Sequence, residues 1–284
     1  MVLVQGENIK GSVFKDLRII EEIGHGAFSR VYKAESNGVL VASKVLSKVP
    51  DCVKNEVQYL QILKHPNIVR FYSAEKTEKG LIINMEYVES NLDSLLFDQQ
   101  HCPVPLRTTL TTSIKVTLCM DIGKAVQYLQ SLRLIHGDLK PENILISHDF
   151  KVKLSDFGFT RAPSKFFETI HGTPNYLPPE AFLYNEFNRT CDTYAFSLVI
   201  YQIFTQRLIF TNCTTTEELA DAVVHGERPT LNSLVPEVYH ELLQKMWSGN
   251  IDERPNMKKI LQTLSLGYLE DIDDLMARNF WSFL

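Results

Sequence analysis

Apolar positions follow two different patterns along this chain. Short apolar segments rich in β-branched residues lie at 17–23, 41–44 and 81–88, and such segments are typical of strands. Farther along, residues 113–132 carry apolar side chains at helical spacing, namely Ile114, Leu118, Ile122, Val126 and Leu129. The chain is therefore predicted to be strand-rich to about residue 88 and helix-rich afterwards, with a loop at 99–105 before the long helix.

One shorter helix is predicted within the strand-rich part. Pro50 and Asp51 form a helix start signal, and Glu56, Leu60 and Leu63 then fall on one helical face. The His-Pro-Asn sequence that follows ends the helix and opens the next strand. This pattern places one carboxylate on the same face as apolar side chains.

Composition and charge exclude several kinds of protein. The 284 residues are 44% hydrophobic and 22% charged, enough to bury a substantial core. A net charge of −5 argues against a nucleic-acid partner, since proteins that bind a phosphate backbone are basic. No apolar run approaches 18 residues and the first residues do not resemble a signal peptide, so no membrane partner is expected. Five cysteines without a C-x-x-C pair favour a cytoplasmic or nuclear location.

The candidate chemistry lies in two nearby motifs. Asp138 and Asn143 belong to the sequence HGDLKPEN at 136–143, and Asp156 opens the triplet DFG at 156–158. Phosphoryl transfer needs a base that receives a hydroxyl proton, and magnesium needs hard oxygen ligands. These residues therefore predict a metal–phosphate site, in which Asn143 and Asp156 are the candidate metal ligands.

Both motifs resemble those of the eukaryotic protein kinase family, whose catalytic loop is H-R-D-x-x-x-x-N and whose metal-binding triplet is D-F-G. One position departs from the family, because Gly137 replaces the usual arginine. His-Gly-Asp also begins the loop of small-molecule phosphotransferases of the aminoglycoside and choline kinase type. The loop alone therefore leaves two classes of enzyme open.

The resemblance implies a phosphate-binding half of the site. In the sequence GHGAFS at 24–29, Gly24 and Gly26 would let backbone amides approach the phosphates of ATP. Lys44, in the sequence VASK, would orient the α- and β-phosphates and pair with Glu56. A glycine pattern alone would also fit an ordinary hairpin turn, so this assignment depends on the other motifs.

The resemblance also implies an adenine pocket. Met85 would stand beside the adenine as gatekeeper, and the extended backbone from Glu86 to Val88 would bind the edge of the base. The ring would lie between three apolar side chains, Val31, Ala42 and Leu145. Taken singly, each of these apolar residues would fit plain core packing equally well.

A later segment distinguishes the two classes of phosphotransferase. Residues 172–180 read GTPNYLPPE and resemble the peptide-binding platform of protein kinases. In the family, Glu180 pairs with the arginine at position 254, and Asp192 holds the backbone of the catalytic loop. These residues favour a protein kinase over a small-molecule phosphotransferase.

The catalytic loop also indicates a substrate preference. Lys140 is the residue typical of serine/threonine kinases, and it can neutralise the transferring phosphate. Thr173 fits the same type, since its hydroxyl can bond both Asp138 and Lys140. Segments 195–201 and 243–247 resemble the tyrosine-kinase-like branch of the family.

Gly137 predicts a difference in regulation. The arginine that it replaces normally binds a phosphate on the activation loop and couples phosphorylation to activity. We therefore expect activity that does not depend on activation-loop phosphorylation, or control by a partner protein, unless Arg161 compensates. Five hydroxyl side chains in or near this loop could accept phosphate: Thr160, Ser164, Thr169, Thr173 and Tyr176.

The predicted fold is α+β, with a small β-rich lobe and a larger helical lobe. The boundaries are an extension at 1–16, the small lobe and hinge at 17–88, the large lobe at 89–264 and a tail at 265–284. The tail combines acidic and aromatic residues and is expected to dock on the domain or on a partner. The predicted function is a serine/threonine protein kinase that uses ATP and Mg²⁺ on protein substrates. A pseudokinase scaffold is the alternative from another class.

Overall fold

The computed structural model describes residues 17–25, 29–47, 51–77, 80–98, 109–163 and 172–266, with short segments at 7–8, 100, 102–103 and 106. Residues 7–8 and 51–55 are described by their backbone alone. Most of the predicted extension at 1–16 and of the tail at 265–284 therefore lies outside the described residues. Within the described ranges, no helix is both long and apolar enough to cross a membrane.

Six antiparallel strands form the sheet of the small lobe, in the order β1-β5-β6-β4-β3-β2. The β3–β4 hairpin turns at Asn37 and Gly38, whose φ angles of 53° and 77° suit a two-residue turn between twisted strands. The strands are β1 (Glu7–Asn8), β2 (Arg18–His25), β3 (Ser29–Ser36), β4 (Val39–Leu46), β5 (Phe71–Thr77) and β6 (Gly80–Glu86).

Buried polar side chains fix the register of three of these strands. Asn84 of β6 accepts a hydrogen bond from Ser43 of β4 (2.7 Å) and donates one to Ser73 of β5 (3.0 Å). Side chains alternate between the faces of a strand, so Lys44 and Met85 lie on the face opposite these polar groups. The polar row thereby directs both predicted site residues toward the cleft.

Helix α1 (Asp51–Ile62) follows β4 and begins at the predicted start signal. Its buried side chains Glu56 and Leu60 face the sheet and the cleft, as the helical spacing predicted, together with Leu63 just after its end. The next strand, β5, begins only at Phe71, because residues 67–69 form hydrogen bonds with the large lobe instead.

The large lobe is mainly helical. Its long helix α3 occupies Thr112–Ser131, one residue earlier at each end than predicted, and Leu118, Ile122, Val126 and Leu129 are fully buried. The helices are α2 (Leu92–Phe97), α3, α4 (Pro179–Tyr184), α5 (Arg189–Thr205), α6 (Thr216–Val224), α7 (His240–Met246) and α8 (Met257–Leu264). A small sheet comprises β7 (Ser90–Asn91), β8 (Ile144–Ile146) and β9 (Val152–Leu154).

The loop between α1 and β5 is attached to the large lobe. Asn67 accepts a hydrogen bond from the amide of Leu154 (2.9 Å), and the amide of Val69 donates to Leu154 in return (2.9 Å). The amide of Lys64 also donates to the hydroxyl of Tyr128 on α3 (3.0 Å). This loop of the small lobe is therefore held against the large lobe. The sheet of the small lobe and the helices of the large lobe confirm the predicted two-lobed α+β architecture.

Candidate active site

A cleft of about 370 Å³ lies between the lobes. Both predicted metal ligands, Asn143 and Asp156, line it, whereas Gly26 lies outside the described residues. The other predicted nucleotide-binding residues also line it: Gly24, Val31, Ala42, Lys44, Met85, Glu86, Val88 and Leu145. Strands β2, β3, β4 and β6 form its upper wall, and β8 with the segment around Asp156 forms the lower one.

A lysine and two carboxylates form an ionic cluster deep in the cleft. Lys44 Nζ lies 2.8 Å from Glu56 Oε1 and 3.3 Å from Asp156 Oδ1. Burial acts to lower the pKa of Lys44, but the negative charges of Asp156 and Glu56 outweigh it and raise that pKa. Burial acts to raise the pKa of Asp156, yet Lys44 holds it below its ordinary value. Lys44 and Asp156 are therefore charged near neutral pH, whereas burial raises the pKa of Glu56 above its ordinary value.

The segment 136–143 is held by the buried carboxylate of Asp192. Its two oxygens accept hydrogen bonds from the amides of His136 (2.7 Å) and Gly137 (3.1 Å), as predicted. The ring of His136 lies 5.2 Å from that of Phe157, so the DFG segment is packed against the same support. These contacts fix the backbone that presents Asp138.

Asp138 is held by its neighbours on two sides. Thr173 donates to Asp138 Oδ1 from both its amide (2.8 Å) and its hydroxyl (2.7 Å). Lys140 Nζ lies 2.6 Å from the Thr173 hydroxyl and 3.1 Å from Asp138 Oδ2. The contacts predicted for Thr173 are therefore present, and the carboxylate has one fixed orientation.

Asn143 also contacts Asp138. Its side-chain amide donates to the backbone carbonyl (2.8 Å) and to Oδ2 (3.0 Å) of Asp138. These bonds use the nitrogen of the Asn143 side chain and leave its oxygen as a potential ligand. Asp156 is two-fifths exposed at its side chain, so it can also reach a ligand in the cleft.

Gly137 has a backbone conformation that suits glycine. Its φ is +83°, and a Cβ at this position would lie 2.9 Å from the carbonyl oxygen of Phe159. Both features disfavour any side chain. The departure from the family's arginine is therefore built into the local backbone of this chain.

Glu180 and Arg254 form a bidentate ion pair beneath the site. The two N–O distances are 2.6 and 2.8 Å, and both side chains are almost fully buried. The pair predicted from the sequence is present, and it links α4 to the segment before α8.

One backbone group of the predicted hinge, the amide of Glu86, is already engaged within the protein. The amide of Glu86 donates to the carbonyl of Arg70 (2.8 Å), so it is not free to bind an adenine edge. The Glu86 carboxylate also points to the loop and the large lobe, accepting from the Arg70 amide (3.1 Å) and pairing with Lys153 (3.0 Å). An adenine contact from Glu86 is therefore limited to its carbonyl.

The structure also changes the set of candidate phosphate acceptors. Thr160 is 2% exposed, with its hydroxyl 3.4 Å from the carbonyl of His136, and is closed to a modifying enzyme. The hydroxyl of Tyr176 donates to the buried side chain of Gln202 (2.9 Å). Ser164 and Thr169 lie outside the described residues.

Some cleft residues were not predicted. Glu142 could have been found, because it precedes Asn143 in the same loop. Asn91 gave no signal in the sequence, since its place depends on how the chain leaves the hinge and caps α2. The cleft residues without a predicted role include Ile23, Val69, Asn91, Glu142 and Ser155.

Two lobes that enclose a lysine–carboxylate cluster and a fixed catalytic-loop aspartate are the architecture of a kinase. Comparison with known families agrees, because residues 17–264 match the protein kinase domain. The chain belongs to the protein kinase family.

Its relatives include kinases of two specificities. A probable LIM domain-containing serine/threonine-protein kinase of Dictyostelium discoideum is 34% identical over 271 residues, which are 90% of this chain and 40% of the relative. The dual specificity protein kinase shkE of the same organism is 30% identical over 292 residues, 98% of this chain and 39% of the relative. The chain thus spans about two fifths of the length of either relative.

Proposed function

We propose that this protein is a serine/threonine protein kinase that transfers the γ-phosphoryl group of ATP to protein hydroxyls. The observation that carries the proposal is the mutual contact of Asp138, Lys140 and Thr173. A carboxylate held at one fixed position can orient a hydroxyl and accept its proton. The neighbouring ammonium group can offset negative charge that develops on the transferred phosphate.

The cleft residues fit ATP with magnesium. Magnesium is usually bound by one or two protein oxygens together with phosphate oxygens and water, and Asp156 and Asn143 offer such oxygens. Lys44, held by Glu56, provides a fixed positive charge for the α- and β-phosphates. Bound Mg²⁺ would supply charge neutralisation for the phosphates, and ATP the phosphoryl group.

The same geometry supports a serine or threonine acceptor. Thr173 fixes Asp138 and Lys140 together, which is the arrangement expected of that type. Because some relatives are named serine/threonine kinases and others dual specificity kinases, the acceptor residue has to be measured. Membership of the tyrosine-kinase-like branch remains a prediction from the segments 195–201 and 243–247.

We also propose that activity does not require phosphorylation of the activation loop. Gly137 removes the family's phosphate-binding arginine, and the Lys44–Glu56 pair is formed. Arg161, the cation that could compensate, places its guanidinium 4.8 Å from the ring of Phe187 and donates from Nε to the Phe159 carbonyl (3.0 Å). Its engagement within the large lobe supports the proposal.

Protein substrates, a regulatory partner and a cytoplasmic location complete the proposed function.

The test is a transfer assay with phosphatase-treated protein, Mg²⁺, labelled ATP and generic protein substrates. We expect label on serine and threonine at the same rate with and without the phosphatase treatment. Asp138→Asn should lower the rate by about 100-fold or more. Asp149→Asn makes the same chemical change on an exposed turn and should leave the rate unchanged.

Several outcomes would contradict parts of the proposal. Label on tyrosine as well would indicate dual specificity. Loss of activity after phosphatase treatment would show that a phosphate is needed despite Gly137. ATP binding without any transfer would favour the scaffold alternative.

A further inference from the structure

A second cavity lies beside the end of α1. We call it the α1–β5 groove; its volume is about 480 Å³, and it is lined by the last residues of α1, the loop 65–70, Phe71 and Lys153. Val69 is the one lining residue that it shares with the cleft. The groove is therefore a separate surface feature on the other side of Val69.

The chemistry of the groove is apolar at its floor and basic at its rim. The half-buried ring of Phe71 supplies apolar surface, and the buried side chains of Leu60, Leu63 and Ile68 lie beneath the floor. The rim carries Lys64, Arg70 and Lys153, with His65 between them, and the lining contains no carboxylate among the described residues. Such a surface suits a segment that is both acidic and aromatic.

Two of the rim cations are uncommitted within the described part of the chain. Lys64 and Arg70 are exposed and form no ion pair with any described carboxylate, whereas Lys153 pairs with Glu86 of the hinge at 3.0 Å. An occupant that contacts Lys153 or Arg70 would therefore touch residues that are bonded directly to the hinge.

The chain itself contains a segment with the matching chemistry. Residues 267–284, which lie outside the described residues, have four carboxylates and one arginine, a net charge of −3 out of −5 for the whole chain. The same segment has three large aromatic side chains near its end, Phe280, Trp281 and Phe283. Acidic and aromatic groups are the two kinds that the groove would bind.

The end of the described chain is close enough to reach the groove. Helix α8 packs on α3, where Leu261 lies against Gly123. Five residues farther along α3, a distance of about 7.5 Å, Tyr128 contacts Lys64 at the rim. The 18 residues after Leu266 could span about 60 Å if extended, which exceeds the separation that these contacts allow.

We propose that residues 267–284 bind in the α1–β5 groove of the same molecule, with their carboxylates on the basic rim and their aromatic rings on the apolar floor. The occupied groove would place this segment against Arg70 and Lys153, the two residues that hold the Glu86 carboxylate. The proposal concerns binding of the segment and does not depend on the proposed kinase activity.

The test uses the full chain and the fluorescence of Trp281. Trp247 is 5% exposed, so the contribution of Trp281 is obtained by difference from the variant Trp281→Phe. We expect acrylamide to quench Trp281 much less in the protein than in a synthetic peptide of residues 267–284. In the variant Lys64→Glu/Arg70→Glu this protection should be lost, and the quenching constant should rise to that of the peptide.

The matched control is Arg207→Glu/Lys258→Glu, which makes the same charge change at two exposed cations away from the groove. This control should keep Trp281 protected, and thermal unfolding should show that both double variants are folded. Quenching of Trp281 in the wild-type protein equal to that of the peptide would overturn the proposal. Protection that persists in the groove variant would also overturn it, and protection that grows with protein concentration would show binding to a second copy instead.

Discussion

Gly137 is the residue at which this chain departs most clearly from its family, and the departure has a structural reason. Its φ of +83° lies in the left-handed region, and the space where a Cβ would stand is taken by the Phe159 carbonyl. The position thus combines two independent costs for a side chain. Gly38 has nearly the same φ, +77°, but no atom within 4 Å of its Cβ position.

These two glycines permit a controlled comparison. Gly38→Ala should lower the free energy of unfolding by about 1 kcal/mol, because only the backbone strain applies. Gly137→Ala should cost roughly 1 kcal/mol more than that, because the Phe159 carbonyl or the catalytic loop must also shift. Urea unfolding measures both changes, and equal values for the two variants would show that the close approach at Gly137 is relieved without cost.

Tyr194 poses a different question at the residue scale. Its side chain is fully buried, the guanidinium groups of Arg228 and Arg254 lie 5.2 and 5.3 Å from its ring, and burial raises the pKa of its hydroxyl to about 12. In the part of the chain that the structure describes, this hydroxyl has no hydrogen-bond partner. An unpaired buried hydroxyl destabilises the folded state.

Removing this hydroxyl should therefore stabilise the protein. Tyr194→Phe is expected to raise the free energy of unfolding by about 1 kcal/mol, since the ring and its contacts with both arginines remain. Tyr176→Phe makes the same change where the hydroxyl donates to buried Gln202, and it should cost about 1–2 kcal/mol. Thermal or urea unfolding of the pair tests this, and a loss of stability in Tyr194→Phe would reveal a partner for its hydroxyl.

The sequence predicted the polar residues of the site better than the contacts that surround them. Asp138, Asn143 and Asp156 lie in compact motifs, and motifs of this kind determine chemistry through residue type and spacing alone. By contrast, the position of the Glu86 carboxylate depends on Arg70 and Lys153, which belong to other elements. Contacts of this kind arise only when distant segments pack together, so no local sequence pattern predicts them.

At the scale of elements, the ion pair of Glu180 and Arg254 links α4 with the segment before α8. Both side chains are almost fully removed from water, and two short hydrogen bonds join them. A buried pair adds little stability compared with apolar residues, but the loss of one partner leaves the other charge uncompensated. The position of the peptide platform at 172–180 therefore depends on both residues.

Neutralising one partner should be severe. Glu180→Gln is expected to lower the free energy of unfolding by about 3–5 kcal/mol, because Arg254 would keep its buried charge without a carboxylate. The matched change Glu241→Gln breaks an exposed pair with Lys245 on α7 and should leave the free energy of unfolding nearly unchanged, because solvent screens the pair. Similar losses in the two variants, measured by urea unfolding, would contradict the role of burial.

Element types could be predicted where the apolar periodicity is strong, as in α3 and β6. Boundaries were less certain where a tertiary contact decides them. The strand after α1 illustrates this, since residues 67–69 pair with β9 of the large lobe and β5 starts later than the sequence indicated. Helix α5 lacks a one-sided apolar pattern, because nearly all of its residues are buried.

At the scale of the whole molecule, the division into two lobes does not follow the order of the chain. The loop 65–70 belongs to the small lobe in sequence, yet its backbone bonds to Leu154 of the large lobe, and Lys64 just before the loop bonds to Tyr128. Asn67 adds a side-chain bond to the carbonyl of Val152 (3.2 Å). The small lobe is therefore attached at this loop as well as at the hinge.

Hydrogen exchange can detect this attachment. The amide of Val69 should exchange as slowly as that of Leu154, because opening either bond requires the loop to leave the large lobe. Asn67→Ala should raise the exchange of both amides together while amides in the β3–β4 hairpin keep their rates. Exchange of Val69 in step with that hairpin would show that the loop moves with the small lobe.

The attachment also fixes one end of α1, so the helix can act as a lever about that end. The end near Lys64 is tied to α3, whereas Glu56 lies eight residues away, at about 12 Å along the helix. A rotation of about 10° about the tied end would carry Glu56 through about 2 Å, enough to separate it from Lys44. A small angular change at the loop would thus open or close the ionic contact in the cleft, with the lever arm supplying the amplification.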